Sequence, residues 1–268
     1  MSTDAHATAL PAAGRDVRVV SLVPSITELL FALGLDAGIV GRTRYCVHPR
    51  DKVAAVPAVG GTKDVDLERV RALSPSHVIV NVDENLAATA DALRAFVPHV
   101  VVTHPNAPED NLPLFRLLGH LFGRGERAEA LCASLQDQID ACAGRTWPRE
   151  RVLYLIWKSP WMTVASDTYV AATLALVGWD VIHGPGGPSG ATRYPIVDDL
   201  DAAVARSDRI LLSTEPYRFR EAHARELRAR FPESRVDVID GEMTSWYGPR
   251  AIDGLAYLRR LRLAAGSR

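Results

Sequence analysis

Two stretches of this chain, residues 66–80 and 199–213, align without a gap: DLERVRALSPSHVIV against DLDAAVARSDRILLS. In each, an aspartate precedes a short helical pattern that runs into an apolar strand. The same elements lead up to both, since an apolar strand, a loop, a helix and a closing glycine recur at 18–34 and at 152–178. The duplication predicts an α/β fold of two similar lobes with central sheets flanked by helices, facing each other. A ligand cleft between the lobes is the expected place for a small-molecule site.

The local signals order each lobe. Residues 17–23 read as a strand stopped by Pro24, which has no ladder donor. Ser25 and Glu28 have capping-box spacing for the helix that follows, and Gly34 suits its left-handed closing position. A strand at 39–44, a loop at 45–61, the repeated helix from Val65, a strand at 77–82, a helix at 86–96 and a strand at 100–103 complete the first lobe. Residues 110–143 carry apolar side chains at helical spacing, divided by Gly123 and Gly125. The second piece, 124–142, would be about 28 Å long, enough to connect two lobes. The second lobe opens with a strand at 152–157, and Ser166 or Asp167 caps a helix closed by Gly178. Loops at 158–165 and 184–195, a strand at 236–239, a loop at 240–248 and a basic amphipathic helix at 249–263 follow. The expected organisation is a flexible tail at 1–16, an N-terminal lobe at 17–108, a helical connector at 109–146 and a C-terminal lobe at 147–268.

Composition removes several function classes. The 268 residues are 47% hydrophobic, enough to bury one large core or two smaller ones. Interspersed Lys and Arg (31) against Asp and Glu (32) leave no basic field for nucleic acid. No run approaches the roughly 18 apolar residues of a membrane span. The first sixteen residues lack a basic start and an apolar core, so the chain as written is expected in the cytoplasm, or in the periplasm if a leader has been removed. Cys46, Cys132 and Cys142 have neither zinc nor dithiol spacing, which suits reduced thiols.

Catalytic and metal chemistry find little support. There is no G-x-S-x-G elbow, P-loop, HExxH or paired CxxC, and the prolines in 184–190 disfavour a phosphate-cradling helix start. Cys46 and His48 stand two apart beside Tyr45 but have no evident third ligand. No cofactor, metal site or catalytic residue is therefore expected. The rival reading is an enzyme working on a small molecule in the inter-lobe cleft, whose turnover would be lost in Ser25→Ala.

The order VVSLVPSITELLFALGL, VGGTKDVDLERVRALSPSHVIV, VLYLIWKSPWMTV and EMTSWYGPR resembles the helical-backbone (class III) substrate-binding proteins of metal-chelate ABC transport, in particular the cobalamin receptors. The resemblance spans residues 18–263. It implies two lobes joined by one long backbone helix and a binding protein that closes little around a bulky, rigid chelate. It places Pro24, Ser25, Tyr45, Thr62, Lys63, Trp161, Tyr194, Glu242, Trp246 and Tyr247 at the ligand. Aromatic rings there would cover a broad apolar rim at small entropic cost. Cobalamin receptors often carry an aromatic in the turn that here contains Lys63, whose charge suits a carboxylate or phosphate. The implied ligand is a cobalamin-like corrinoid, with a ferric siderophore or haem as alternatives. The resemblance also implies that Glu68 and Asp201, at equivalent places in the repeats, dock with arginines of an ABC permease. A cytosolic carrier without a permease is the other expectation, and the chain is expected to be monomeric.

Overall fold

The computed structural model describes residues 2–5, 9–14, 16–184 and 193–265. It divides into two compact units. The first holds the chain to Pro105, Asp110–Leu135 and Tyr247–Pro249; the second holds Asn106–Glu109, Gln136–Trp246 and the chain from Arg250. In chain order the first unit contains β1 (Ser2–Thr3), β2 (Ala9–Leu10), β3 (Val19–Ser21), α1 (Pro24–Ala32), β4 (Ile39–Arg42), α2 (Arg50–Val53), α3 (Leu67–Ala72), β5 (His77–Asn81), α4 (Ala87–Arg94), β6 (His99–Thr103) and α5 (Asn111–Leu121). Helix α6 (Gly125–Ala143) begins in the first unit and ends in the second. Then come β7 (Glu150–Trp157), β8 (Met162–Thr163), α7 (Tyr169–Ala175), β9 (Trp179–Val181), α8 (Leu200–Ala205), β10 (Arg209–Ser213), α9 (Glu221–Arg230), β11 (Arg235–Ile239), α10 (Gly241–Ser245) and α11 (Arg250–Ala265).

The two sheets share one topology. The first runs β4-β3-β5-β6, all parallel; the second runs β9-β7-β10-β11, also parallel, with β8 added antiparallel at the far end of β7. The duplicated segments occupy the same place in each, so β5 and β10 are interior strands, and all five residues of both are buried. Continuous burial is what a parallel sheet covered on both faces requires. The capping aspartates are equivalent as well: Asp66 Oδ1 accepts from the Arg69 amide at 3.0 Å, and Asp199 Oδ1 from the Ala202 amide at 2.9 Å. Each unit has its own apolar core, built around Val20, Val78, Leu93 and Val102 in the first and around Leu153, Ile210, Leu212 and Leu227 in the second.

Gly34 and Gly178 close α1 and α7 with φ of +77° and +78°. A Cβ at Gly178 would lie 2.7 Å from Trp147 Cβ and 2.8 Å from the Pro148 carbonyl, so both backbone angle and space favour glycine there.

Three expectations are corrected. Ser25 does not cap α1: the helix already starts at Pro24, whose fixed φ and missing N–H suit a first helical position, and Val23 is the N-cap. The polar role near that turn falls to Thr27, whose Oγ1 lies 2.8 Å from Ser21 Oγ and 3.0 Å from the Val23 carbonyl. Helix α7 is capped by Thr168, whose Oγ1 accepts from the Ala171 amide, and not by Ser166 or Asp167. The expected flexible tail is attached wherever it is described. Strands β1 and β2 pair, Asp4 Oδ2 accepts from the Val102 amide at 2.9 Å, Ala5 N donates to the Val102 carbonyl at 2.9 Å, and Ala13 N donates to the Leu121 carbonyl at 2.8 Å. The reason is that β6 is an edge strand, and its outward backbone groups take partners from any nearby chain. Residues 185–192 of the glycine- and proline-rich loop lie outside the described residues.

A charged cluster underlies the amino end of the second sheet. Glu150 accepts from Arg209 Nε at 2.9 Å, Arg262 Nη1 at 3.2 Å and Trp179 Nε1 at 3.1 Å, and Arg209 also pairs with Asp237. Burial pushes the Glu150 carboxyl up, but the Arg209 hydrogen bond, the charges of Arg209 and Arg262 and the Trp179 N–H together hold it below the usual glutamate value.

Candidate functional site

In a parallel α/β sheet, the loops that follow the carboxyl ends of the strands gather on one side, and that is where such folds bind ligands. In the first unit, the loop after β4 presents Tyr45, 52% exposed, with the Arg44 guanidinium 5.7 Å from its ring centroid. Arg44 is held by Asp64 at 2.8 Å. The turn containing Thr62 and Lys63 is tied to the loop after β5: Asn85 Nδ2 donates to the Thr62 carbonyl at 3.0 Å, and Lys63 Nζ to the Asp83 carbonyl at 2.8 Å. Asp83 Oδ2 lies 3.6 Å from His104 Nε2, beyond β6. Tyr247 is buried and its hydroxyl donates to Glu84 Oε1 at 2.8 Å. Exposed Val47, Val82 and Leu86 lie in the same loops. Pro24 and Ser25 are buried at the start of α1, so at this rim they offer helix backbone more than side chain.

In the second unit, the loops after β7 and β10 meet in an aromatic cluster. The Trp161 and Phe219 rings are parallel, with centroids 6.1 Å apart; Tyr217 packs against Phe219 at 4.7 Å and edge-on to Trp157 at 5.6 Å; His223 meets Tyr217 and Phe219 edge-on. Lys158 Nζ lies 5.5 Å from the Trp161 ring and is anchored by Glu226 at 2.7 Å. Trp157, the last residue of β7, is 40% exposed. Beside β11, Trp246 Nε1 donates to Glu215 Oε2 at 2.9 Å, Arg250 lies 5.2 Å from the Trp246 ring centroid, and Arg250 pairs with Glu242 at 3.3 Å. Burial pushes the Glu215 carboxyl up; the Trp246 N–H lowers it, while the neighbouring charges of Glu242 and Asp240 raise it further. Tyr194 is half-buried and precedes exposed Ile196 by two residues.

The expected site residues therefore fall into two groups: Pro24, Ser25, Tyr45, Thr62, Lys63 and Tyr247 in the first unit, and Trp161, Tyr194, Glu242 and Trp246 in the second. Sequence reasoning missed Trp157, Tyr217, Phe219 and Glu215. An aromatic closing an apolar strand was the available signal for Trp157. Nothing local marks the other three, which become neighbours of Trp161 and Trp246 only because β7, β10 and β11 are adjacent strands. Glu68 and Asp201 sit in the first turns of α3 and α8. The Glu68 side chain is 84% exposed and 3.8 Å from Arg71, whereas Asp201 is held by Arg230 of α9 at 2.6 Å.

Cys46 Sγ is buried 3.0 Å from Thr27 Oγ1 and 3.2 Å from Thr43 Oγ1, and burial pushes its thiol up, as it does those of Cys132 and Cys142. Burial accounts for three free thiols without reference to a compartment. Among the described residues, no group of three or more His, Cys, Asp or Glu could hold a metal ion, and no helix is long and apolar enough to cross a membrane. Two cavities lie away from both rims, one of about 730 Å³ beside Arg18, Gly34 and Arg124 and one of about 540 Å³ beside Trp147 and Arg259.

Comparison with known proteins gives concordant findings. Residues 19–207 match the family described as periplasmic binding protein. The chain is 26% identical over 255 residues to the uncharacterized ABC transporter substrate-binding lipoprotein YvrC of Bacillus subtilis, covering 90% of this chain and 78% of that protein. It is 21% identical over 199 residues to a vitamin B12-binding protein of Vibrio parahaemolyticus, covering 74% and 70%. Among solved structures, the periplasmic vitamin B12 binding protein BtuF of Vibrio cholerae superposes with a TM-score of 0.80 at 19% identity, covering 94% of this chain and 98% of that one. The periplasmic heme-binding protein RhuT from Roseiflexus superposes with a TM-score of 0.75 at 22% identity, covering 93% and 99%. These likenesses show the two-lobed α/β fold with a helix-flanked sheet in each lobe. They also correct the cytoplasmic placement expected above, because the relatives are a lipoprotein and periplasmic proteins.

Proposed function

From the premise that this chain belongs to the periplasmic binding protein family, we propose that it captures a bulky, rigid metal chelate, a cobalamin-like corrinoid, outside the cytoplasm and presents it to an ABC importer. The chain is a solute-binding protein of ABC transport and not an enzyme. The observation that carries the corrinoid reading is the aromatic cluster on the second unit, Trp157, Trp161, Tyr217 and Phe219, at the carboxyl end of its sheet. Rings locked against one another by edge and face contacts lose little entropy on binding; Phe219 is fully buried and backs the cluster, while Trp157, 40% exposed, and the partly buried Trp161 and Tyr217 present ring surface to a ligand. Vitamin B12 is the ligand of two of the relatives, which supports the same reading.

On the second unit, Trp246 and Glu242 contribute polar edges and Tyr194 a hydroxyl; on the first unit, Tyr45, Thr62, Lys63, Tyr247 and the backbone at Pro24 and Ser25 are the ligand-contacting groups. Residues 17–108 and 147–268 act as the two lobes, with 109–146 as connector. Glu68 and Asp201 supply carboxylates to permease arginines, so Glu68→Arg abolishes transport while ligand affinity stays intact.

Haem is the second reading, favoured by Tyr45: its exposed phenol stands beside a guanidinium, and tyrosine is one of the axial ligands of haem iron. Absorbance and calorimetric titrations with cyanocobalamin, hydroxocobalamin, a ferric siderophore and haemin test both. The corrinoid reading expects stoichiometric binding that weakens in Trp161→Ala and Trp246→Ala. Binding of haemin alone, lost in Tyr45→Phe, would replace it with the haem reading, and binding to none of the four would sink both.

A further inference from the structure

Beyond Arg250, which meets Trp246 and Glu242, the arginines of α11 are not used by the chelate site. Of its arginines, Arg250 pairs with Glu242 and Arg262 with Glu150, but Arg259 and Arg260 make no ion pair among the described residues. Both line the cavity of about 540 Å³ where the end of α6 and the segment after it meet α11, together with Ala141, Arg145, Trp147 and Leu263. No acidic residue lines it. The Arg145 guanidinium lies 5.1 Å from the Trp147 ring centroid, and the ring is fixed by its Nε1 donating to the Cys142 carbonyl at 2.9 Å. Arg259 donates from Nη2 to the neutral Gln138 Oε1 at 3.0 Å, while its Nε is buried with no partner. A buried charged donor without an acceptor calls for a group that the chain does not supply. The carbonyl end of α6 carries about half a negative charge, too little to balance three guanidinium groups.

We propose that this cavity is a second, independent binding site for a phosphate group carried on an apolar body. The Arg145, Arg259 and Arg260 guanidinium groups donate to the phosphate oxygens, since guanidinium matches phosphate in charge and geometry. Trp147 and exposed Leu263 cover the apolar part. The volume lies within the roughly 300–1,000 Å³ of small-molecule sites. Phosphate of this kind comes either from a soluble phosphate ester or from an anionic lipid headgroup at a membrane surface, where arginine and tryptophan are common contacts.

The test uses the full chain, calorimetric titration with inorganic phosphate and phenyl phosphate, and sedimentation with phosphatidylglycerol vesicles against phosphatidylcholine vesicles. Arg145→Ala/Arg260→Ala alters two exposed side chains that make no hydrogen bond or ion pair among the described residues, Arg145 resting only on the Trp147 ring, so the fold is kept, and Arg259→Gln removes the buried donor. Phenyl phosphate binding more tightly than inorganic phosphate, weakened at least tenfold in both variants, supports the site with a soluble source. Sedimentation with phosphatidylglycerol alone, lost in both variants, supports it with a lipid source. No binding to any probe, or binding unchanged in the variants, overturns it. Corrinoid titration of the same variants stays at the wild-type value, so failure here is distinguishable from failure of the chelate reading.

Discussion

Replacing Glu150 by alanine tests whether the second lobe depends on its buried charges. The Glu150 side chain is 14% exposed and meets three arginines: Arg209 and Arg262, 4% and 3% exposed, and the surface Arg235 at 3.4 Å, 57% exposed. Removing the carboxylate leaves Arg209 with Asp237 only, and leaves Arg262 with the Val177 and Pro148 carbonyls at 3.2 and 2.7 Å. Breaking a buried pair by deleting one partner costs about 3–5 kcal/mol, because the remaining charge stays desolvated. Trp179 Nε1 loses its acceptor as well, so the upper half of that range is expected. Glu150→Gln keeps an acceptor oxygen and the shape, and loses about 1.5–3 kcal/mol. An exposed pair, Arg149 with Asp180, serves as the control, and Asp180→Ala is expected to cost less than about 1 kcal/mol. Urea unfolding followed by circular dichroism and tryptophan fluorescence reads all three. Because the Glu150 pKa is depressed in the folded state, its contribution is complete above the unfolded glutamate value and is lost as pH falls through the folded one. The gap between wild type and Glu150→Gln should therefore shrink below about pH 4. A loss under about 1 kcal/mol for Glu150→Ala at neutral pH would refute the desolvation argument and mean that Asp237 and the carbonyls suffice.

The duplicated caps give a second expectation: Asp66→Ala and Asp199→Ala each cost about 1 kcal/mol, and the double variant is additive because the two caps belong to different units. Thermal melts of the two single variants and the double variant check this. His77 gives a third. It is buried on β5 against His99 and Phe122, with Nε2 unpartnered, and burial first, then the charge of His99, lowers its pKa to about 4. A depressed histidine contributes stability that is complete above the unfolded value of about 6.5 and is lost as pH falls toward 4, with a ceiling of about 3 kcal/mol. Urea midpoints between pH 7 and 4 should therefore fall less steeply in His77→Leu than in wild type, and equal slopes would refute the assignment.

What was legible in the sequence was local and periodic. Asp66 and Asp199 cap helices because a short carboxylate three residues before a free amide needs nothing beyond its own turn. The strands at β5 and β10 followed from continuous apolar runs, and Gly34 and Gly178 from the left-handed angle that ends a helix. The duplication then implied two sheets of one topology, since equal patterns meet equal packing constraints. Even at this level, competing local signals misled: Ser25 had cap spacing, but Pro24 was the better first residue, and Thr168 took the cap from its neighbours. Tertiary structure alone decided which distant side chains meet. The first residues pair with the outer edge of β6 because an edge strand has unfilled backbone groups, a fact about sheet order that composition does not carry. The ring cluster of Trp157, Trp161, Tyr217 and Phe219, the charges converging on Glu150 and the guanidinium groups around Trp147 bring together residues far apart in the chain. Adjacency between such residues is set by strand order and helix packing, which are collective results of burying the whole core and have no signature in a short window of sequence.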